Sequence, residues 1–289
     1  MVKKYGQLYR ETISRLRPSE GELAAQAARE LLAMASGKEI AAVLAELELY
    51  ASEIIEQTLG ELTERYLAGC PLAYLSGSWD FYGLRFTVTP DVLIPRDDTL
   101  AVTELALERL RGKDGTLRVL DLCTGSGCIG LAIAHALPRA RVTIVDVSTA
   151  ALRVAKQNIA GLGLSTRVNA FELDVLNPAP SFLGQFDGIV SNPPYITSAE
   201  MLALEPSVRR FEPHLALDGG EDGLKFYRAI AANYAPLLKP GGVLCLEFGM
   251  GQEQAVAQIL EDAGLRDFEL RKDYRGVVRA SCGSNKTNG

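Results

Sequence analysis

The residues best suited to chemistry are Asn192, Pro193, Pro194 and Tyr195, which follow a buried strand predicted over Phe186–Ser191. Two consecutive prolines fix the backbone and remove two N–H donors. The groups left to face a ligand are therefore mostly acceptors, namely the Asn192 side-chain oxygen and the Pro193 carbonyl, and Tyr195 adds a flat apolar wall. Such a site fits a planar NH2 group with two N–H donors, either an amide or an exocyclic amino group.

A second motif, DLCTGSGCIG over residues 121–130, ends one predicted strand and opens a helix. Gly125, Gly127 and Gly130 match G-x-G-x-x-G, and Asp146 ends the next strand about 20 residues later. Glycines let the backbone approach a ligand closely, and a carboxylate at a strand tip can accept both hydroxyl protons of a ribose. The pattern predicts a site for an adenosine-bearing ligand, which a nicotinamide dehydrogenase and a methyltransferase would both have.

One further carboxylate, Asp121, favours the methyltransferase. Asp121 would repel a pyrophosphate but suits a ligand with an ammonium and a sulfonium, as S-adenosylmethionine has. Asp174, at the tip of the third predicted strand, is placed to meet an adenine amino group.

Methyl transfer to an amide nitrogen is the chemistry that these residues suggest. An amide nitrogen is a poor nucleophile because its lone pair is delocalised into the carbonyl. Acceptors on both of its N–H bonds would orient the lone pair and stabilise the positive charge that develops on nitrogen. No strong base is needed before the attack, so we expect in-line transfer from sulfonium to nitrogen and later loss of the proton.

The elements that must position these residues are strands alternating with helices. The predicted strands cover residues 117–122, 142–147, 167–174, 186–191, 243–248, 267–272 and 277–282. Such alternation predicts a doubly wound, mostly parallel sheet. The last two strands are joined only by Asp273–Gly276, which is too short for a crossover, so they must pair antiparallel.

The chain before this sheet is predicted to form a helical domain over residues 1–72 and a β-hairpin linker over 73–98, ahead of a sheet domain over 99–289. Ser19 and Glu22 match a capping box at the start of a helical segment that Gly37 ends. The segment WDFYGLRFTV alternates apolar and polar residues around Gly83, as a hairpin does.

Composition narrows the function classes. The 289 residues carry 30 Lys and Arg against 36 Asp and Glu, a net charge of −6, which argues against affinity based on neutralising phosphates. The five cysteines include no C-x-x-C pair, and His135 and His214 are the only histidines. These counts argue against a disulfide framework and a zinc or multi-histidine metal site. No apolar run is long enough for a membrane span, so a soluble, cytoplasmic protein is expected.

The chain resembles the release-factor glutamine methyltransferases, the HemK/PrmC family. The segments that carry the resemblance are PLAYLSG, WDFYGLRFTV, LIPR, DLCTGSGCIGLA, IVDVS, SNPPYI and FEPHLALDGGEDGLKFYR. The motif N-P-P-Y alone is shared with adenine-N6 and other amino methyltransferases, whereas the combination is specific. The resemblance implies a Rossmann-like, seven-stranded methyltransferase domain, mostly parallel and ending in an antiparallel hairpin.

The resemblance also implies the reaction and its residues. A methyl group would pass from S-adenosyl-L-methionine, leaving S-adenosyl-L-homocysteine, to the glutamine amide nitrogen in the Gly-Gly-Gln motif of class-1 peptide-chain release factors. The implied cofactor-binding residues are Asp121, Cys123, Thr124, Gly125, Ser126, Gly127, Asp146, Asp174 and Asn192. The implied substrate-binding residues are Asn192, Pro193, Pro194 and Tyr195, of which Asn192, Pro193 and Tyr195 are catalytic. The segment Leu93–Thr99 would close over the pocket.

Three positions depart from the family pattern. Asp97 stands where proline is usual, Leu100 replaces a glutamate, and Cys123 occupies a position that is more often glycine. These changes affect the expected contacts of the lid and leave the expected reaction in place.

Other readings of the motifs are a nucleic-acid adenine or cytosine amino methyltransferase, a nicotinamide dehydrogenase, and a binding module without turnover. The acidic charge and the lack of a basic insert after Tyr195 weigh against the first, and the intact N-P-P-Y weighs against the last. The expected partner is a release factor, docked by the helical domain, with no direct nucleic-acid or membrane partner. A monomer is expected.

Overall fold

The computed structural model describes residues 2–286; residue 1 and residues 287–289, the outer ends of the first and last predicted domains, lie outside the described residues. The chain divides into two compact units, one ending at Gly77 and the other beginning at Ser78. The first unit runs past the expected boundary at residue 72 because Leu72 and Leu75 pack against its core.

The first unit is helical, and its helices enclose a core that includes Leu16, Leu31 and Leu32. Its helices are α1 (Tyr5–Glu20), α2 (Ala24–Ser36), α3 (Ile40–Ala45), α4 (Glu53–Leu67) and α5 (Leu72–Ser76). The predicted capping box is wrong: Ser19 lies in the last turn of α1, where its hydroxyl donates to the Leu16 carbonyl at 3.0 Å.

The second unit opens with an antiparallel hairpin and continues as a seven-stranded sheet. The hairpin strands are β1 (Ser78–Phe81) and β2 (Leu84–Thr87). The sheet strands are β3 (Leu117–Leu122), β4 (Ala140–Asp146), β5 (Val168–Glu172), β6 (Phe186–Ser191), β7 (Leu238–Glu247), β8 (Arg266–Lys272) and β9 (Val278–Ser284). Their order is β5-β4-β3-β6-β7-β9-β8; β3 to β7 are parallel, and β9 is antiparallel to both neighbours. The predicted fold class is confirmed.

Helices cover both faces of the sheet. The helices of this unit are α6 (Leu100–Arg111), α7 (Cys128–Ala136), α8 (Thr149–Gly161), α9 (Pro206–Phe211), α10 (Lys225–Asn233) and α11 (Glu253–Asp262). One apolar cluster joins the sheet to α6, α7 and α8, and a second joins it to α10 and α11. In residues 2–286 we find no helix with the length and apolar character needed to cross a bilayer.

Five of the seven sheet strands differ from prediction at their ends, and the differences in β5 and β7 affect the site or the sheet's pairing. Strand β5 ends at Glu172, so Asp174 lies in the loop beyond it instead of at its tip. Strand β7 begins at Leu238, ahead of a Pro-Gly-Gly run that suggests a break. The strand continues there because Leu238 pairs with Phe186 across a shift in register.

Candidate active site

A cavity that is partly open to solvent lies where β3, β4, β5 and β6 end. Parallel strands end at the same edge of a sheet, so the loops that follow them converge there. The predicted site residues in its wall are Cys123, Thr124, Gly125, Ser126, Asp146, Asp174, Asn192 and Pro194. The wall also contains Leu93, Pro95, Arg96 and Thr99 from the expected lid. Asp121, Gly127, Pro193 and Tyr195 are not part of the wall.

The loop from β3 to α7 takes an unusual backbone path. Cys123, Gly125 and Gly127 have φ angles of 54°, 56° and 87°. This left-handed region is unfavourable for residues with a Cβ, so Cys123 carries local strain that glycine would avoid. The backbone explains why glycine is the more usual residue at position 123.

Asp121 lies beneath this loop and is buried. Its Oδ2 accepts hydrogen bonds from Thr124 Oγ1 at 2.5 Å and Gly130 N at 2.9 Å. A Cβ at position 130 would lie 2.8 Å from that oxygen, so the close approach requires glycine. Burial raises the pKa of Asp121 to about 7, although the two hydrogen bonds act in the opposite direction.

Asp146 ends β4 and faces the cavity. Its Oδ2 accepts from Gly125 N at 2.8 Å and its Oδ1 from Ser148 N at 2.9 Å. Burial raises the pKa of Asp146, and the backbone N–H groups oppose that shift. The carboxylate is therefore held rigidly, with lone pairs left for the hydroxyls of a ligand.

Asp174 closes its own turn at the cavity wall. Its Oδ1 accepts from Leu176 N at 2.9 Å, and its Oδ2 accepts from Asn177 Nδ2 at 3.2 Å. Asp174 therefore lines the cavity, and its carboxylate also stabilises the turn that includes Leu176 and Asn177.

Asn192 follows the end of β6, which is tied to β3 by the bond from Ser191 Oγ to the Leu122 carbonyl at 2.7 Å. The Asn192 Nδ2 donates to Thr99 Oγ1 at 3.2 Å. That bond points the nitrogen of the Asn192 side-chain amide toward the start of α6. The amide oxygen therefore points away from α6.

Tyr195, which the sequence predicts to add a flat apolar wall, is not among the residues that line the cavity. Its side chain packs against the apolar cluster of α10 and α11, and its carbonyl accepts from Gln252 Nε2 at 3.2 Å. Burial raises the pKa of Tyr195, and the neighbouring Glu247 adds to the shift. Its hydroxyl is therefore neutral at physiological pH.

Sequence reasoning missed two buried carboxyls beside the cavity. Glu212 accepts from Ile94 N at 3.4 Å and pairs with Arg96, which joins the expected lid to the segment before α10. Glu247 ends β7 beside Asn192, because Ser191 of β6 pairs with Leu246 of β7, and Thr99 and Asn192 lower the pKa of its carboxyl. A signal for Glu247 was present: like Asp146, it is an acid at the end of an apolar strand.

Unpaired polar atoms concentrate at this site. Among the side chains that the structure describes, five buried nitrogen or oxygen atoms lack a hydrogen-bond partner, and three belong to Asp121, Ser126 and Glu247. Buried polar atoms are normally paired, so this concentration suits a site that a polar ligand completes. The described residues hold no group of three His, Cys, Asp or Glu side chains suited to a metal ion.

Comparison with known proteins decides the family. A model described as the methyltransferase small domain matches residues 97–219, and one described as the PrmC N-terminal domain matches residues 7–77. The chain is 44% identical over 238 residues to the release factor glutamine methyltransferase of Moorella thermoacetica, covering 82% of this chain and 83% of that protein. The chain belongs to the release factor glutamine methyltransferase family.

A second member of the family, from Bradyrhizobium diazoefficiens, is 39% identical over 274 residues, 94% of this chain and 91% of that protein. Among solved structures, a methyltransferase from Pyrococcus furiosus has a TM-score of 0.52 and 16% identity, covering 78% of this chain and 99% of that one. This likeness supports the fold alone. The expected family and methyltransferase activity are confirmed.

The expected lid of this methyltransferase, Leu93–Thr99, leads directly into α6. Asp97–Thr99 form a 3-10 turn that leads into α6, and Asp98 pairs with Arg279 of β9 at 3.0 Å. Arg279 also bonds Asp273 at 3.2 Å, so one arginine connects the start of α6 to the terminal hairpin.

Proposed function

We propose that this methyltransferase transfers a methyl group from S-adenosyl-L-methionine to the side-chain amide nitrogen of the glutamine in the Gly-Gly-Gln motif of class-1 peptide-chain release factors. The observation that carries the proposal is the orientation of Asn192 by Thr99 at the end of β6, in a chain of this family. An acceptor held there suits an amide NH2 group.

The cofactor assignment is supported by the chemistry of the cavity. Unpaired oxygens of Asp121 and Ser126 lie at the loop that would hold the ammonium and carboxylate of the methionine part. Asp146 would accept the ribose hydroxyls, and Asp174 would lie near the adenine. When bound, S-adenosyl-L-methionine supplies an electrophilic methyl group on a sulfonium and leaves as S-adenosyl-L-homocysteine.

The residues of the N-P-P-Y motif would bind and orient the glutamine amide. The Asn192 oxygen and the Pro193 carbonyl would accept the two N–H bonds of the glutamine amide, with Pro194 and Tyr195 holding the loop rigid. These bonds orient the nitrogen lone pair and stabilise the positive charge that develops there. The nitrogen loses its proton after the methyl group has arrived.

The decisive experiment incubates the enzyme with methyl-labelled cofactor and a class-1 release factor, and locates the label by mass spectrometry. We expect the label on the glutamine of the Gly-Gly-Gln motif. A factor with alanine in place of that glutamine should remain unlabelled. Label on bare DNA without a release factor would favour the nucleic-acid reading instead.

Replacement of Asn192 by alanine tests the mechanism. We expect turnover to fall roughly 10²–10³-fold, the cost of losing one preorganised polar contact at the reacting atom. Cofactor binding, measured by calorimetry, should change much less. Near-normal turnover in this variant would contradict the proposed mechanism.

The helical unit is proposed to dock the release factor, because a folded protein substrate needs a surface beyond the cavity. The described cavity wall lies wholly within residues 91–226, so the helical unit contributes none of it. We expect the enzyme to act as a monomer, without a nucleic-acid partner.

A further inference from the structure

Glu247 is a buried carboxyl that the mechanism above does not use. It ends β7, is 1% exposed, and its carbonyl accepts from the Tyr227 hydroxyl at 2.9 Å. Its Oε2 has no hydrogen-bond partner within residues 2–286. A buried carboxyl with an unpaired oxygen is costly, so its position beside Asn192 calls for a reason.

The side chains of Thr99 and Asn192 connect Glu247 to the cavity. Asn192 lies beside Glu247 because Ser191 of β6 pairs with Leu246 of β7. Thr99 and Asn192 both line the cavity wall, and both lower the pKa of the Glu247 carboxyl. The Asn192 nitrogen donates to Thr99 Oγ1 at 3.2 Å. The NH2 side of the Asn192 amide therefore faces Thr99, and the oxygen faces away from it.

A side-chain amide has nearly the same shape after a half-turn that exchanges its oxygen and nitrogen. In the turned state Asn192 would present N–H donors to the substrate, which itself offers only N–H donors at the reacting nitrogen. Thr99 does not prevent the turn, because a hydroxyl can donate as well as accept. An ionised carboxylate does prevent it, because it only accepts.

We propose that Glu247 is a positioning residue whose carboxylate fixes the Asn192 amide with its oxygen toward the substrate. The inference rests on the proposed function, since it assigns Glu247 a part in the same amide site. When Glu247 is protonated, it offers a donor of its own and the turned amide becomes favourable.

The surroundings of Glu247 make its protonation sensitive to pH near neutrality. The titratable and charged groups that face it are Asp98, Cys128, Tyr195, Tyr227 and Arg279. Burial raises the pKa of Glu247 to about 7; the hydrogen bond from Thr99 lowers it, Asp98 raises it, and Arg279 lowers it. The pKa values of Cys128, Tyr195 and Tyr227 are all raised, so these three groups stay neutral.

The test compares Glu247→Gln and Glu247→Leu with Glu269→Gln, which removes a partly exposed carboxyl that pairs with Arg271 on β8. We expect wild-type kcat at saturating cofactor to rise with pH through about 7, and the control to follow it. Both Glu247 variants should lose this rise. Glu247→Leu should lose roughly tenfold or more in kcat at pH 8, and Glu247→Gln less, because its amide oxygen still accepts from Asn192.

Thermal unfolding separates positioning from a merely structural role. Removing a buried carboxyl with an unpaired oxygen is often neutral or stabilising, so Glu247→Leu should keep or raise the melting temperature while losing activity. A fall in melting temperature together with activity, or persistence of the pH-dependent rise in both variants, would overturn the inference.

A measurement without substrate keeps this inference distinguishable from the proposed function. In NMR spectra the Asn192 side-chain N–H signals should shift between pH 6 and 8 in the wild type and the control, but not in Glu247→Leu. Signals that shift equally in all three proteins would overturn the role of Glu247. Absence of label on the release-factor glutamine, with the expected NMR result, would refute the proposed function alone.

Discussion

At the residue scale, the acids that end neighbouring strands differ in how their oxygens are used. Both oxygens of Asp146 accept backbone N–H groups, whereas one oxygen of Asp121 is unpaired. A carboxyl that is buried and incompletely paired favours its neutral form. Asp121 is therefore poised to ionise when a cationic ligand arrives, and Asp146 serves as a fixed acceptor.

This difference predicts how cofactor binding depends on pH. The pKa of Asp121 is raised to about 7, so below that pH an ammonium must first displace a proton. We expect affinity for S-adenosyl-L-methionine to rise between pH 6 and 8, by at most tenfold per unit for one proton. Calorimetry in buffers of different ionisation enthalpy would detect the released proton.

In Asp121→Asn the affinity should be weaker and its dependence on pH nearly flat. Asp222→Asn, which removes an exposed carboxylate paired with Arg228, should behave as the wild type. An unchanged pH dependence in Asp121→Asn would show that another group carries it.

The sequence was sufficient to find residues that follow apolar strands, because a strand's period and its end are local properties. Cys123, Asp146 and Asn192 are found together in the wall for that reason. The position of Tyr195 could not be found in this way, because it depends on α10 and α11, which are distant in sequence. The link between Glu247 and Asn192 likewise requires the pairing of β6 with β7.

At the scale of elements, α7 approaches β3 and β4 closely at Gly130. An alanine there would bring its Cβ within 2.8 Å of both Asp121 Oδ2 and Ile144 Cγ2. We expect Gly130→Ala to lower the free energy of unfolding by about 1–3 kcal/mol. Urea unfolding measures this, with Gly161→Ala as the control.

Gly161 is the last residue of α8, and a Cβ there would have no heavy atom within 4 Å. The control should therefore be neutral or stabilise the protein by up to about 1 kcal/mol. Equal effects of the two substitutions would show that helix propensity, and not the contact with Asp121, decides the cost.

Asp97 stands in the expected lid, where the family usually has proline, and we expect a proline there to stabilise the protein. Arg96 has φ −98° and ψ 148°, the extended conformation that a residue before proline prefers, and Asp97 begins the 3-10 turn. A proline at the first position of a helical turn removes an N–H that has no partner within the turn. Asp97→Pro should thus be tolerated and should raise the free energy of unfolding by about 0.4–1 kcal/mol, measured by urea unfolding. A clear loss of stability would mean that the Asp97 side chain or N–H is needed.

Elements were predicted best where local signals agree. Strands β3 and β6 have the predicted bounds, because apolar runs end there at a glycine-rich loop and a proline pair. Ser19 and Glu22 carry a capping signal, but α1 continues through Ser19 to end at Glu20, and tertiary packing of α1 against α2 decides the boundary.

At the scale of the whole molecule, each unit has its own apolar core, and the cavity wall belongs to the second. Deleting the chain up to Gly77 should leave cofactor binding nearly unchanged. It should lower kcat/KM for an intact release factor by roughly tenfold or more, the loss of a few central docking contacts. A short Gly-Gly-Gln peptide should be methylated equally by both forms. A loss for the peptide as large as for the factor would mean that the deletion damages the catalytic unit.

Strand β9 lies between β7 and β8, although it follows both in the chain. During biosynthesis, β7 must therefore wait for residues 278–284 with one edge unpaired. Open edges of apolar strands invite association with other chains, so a nascent chain that stalls before this point is exposed to aggregation. The sheet of the catalytic unit becomes complete only once β9 has been synthesised, and premature termination before β9 should yield insoluble fragments in place of a weakened enzyme.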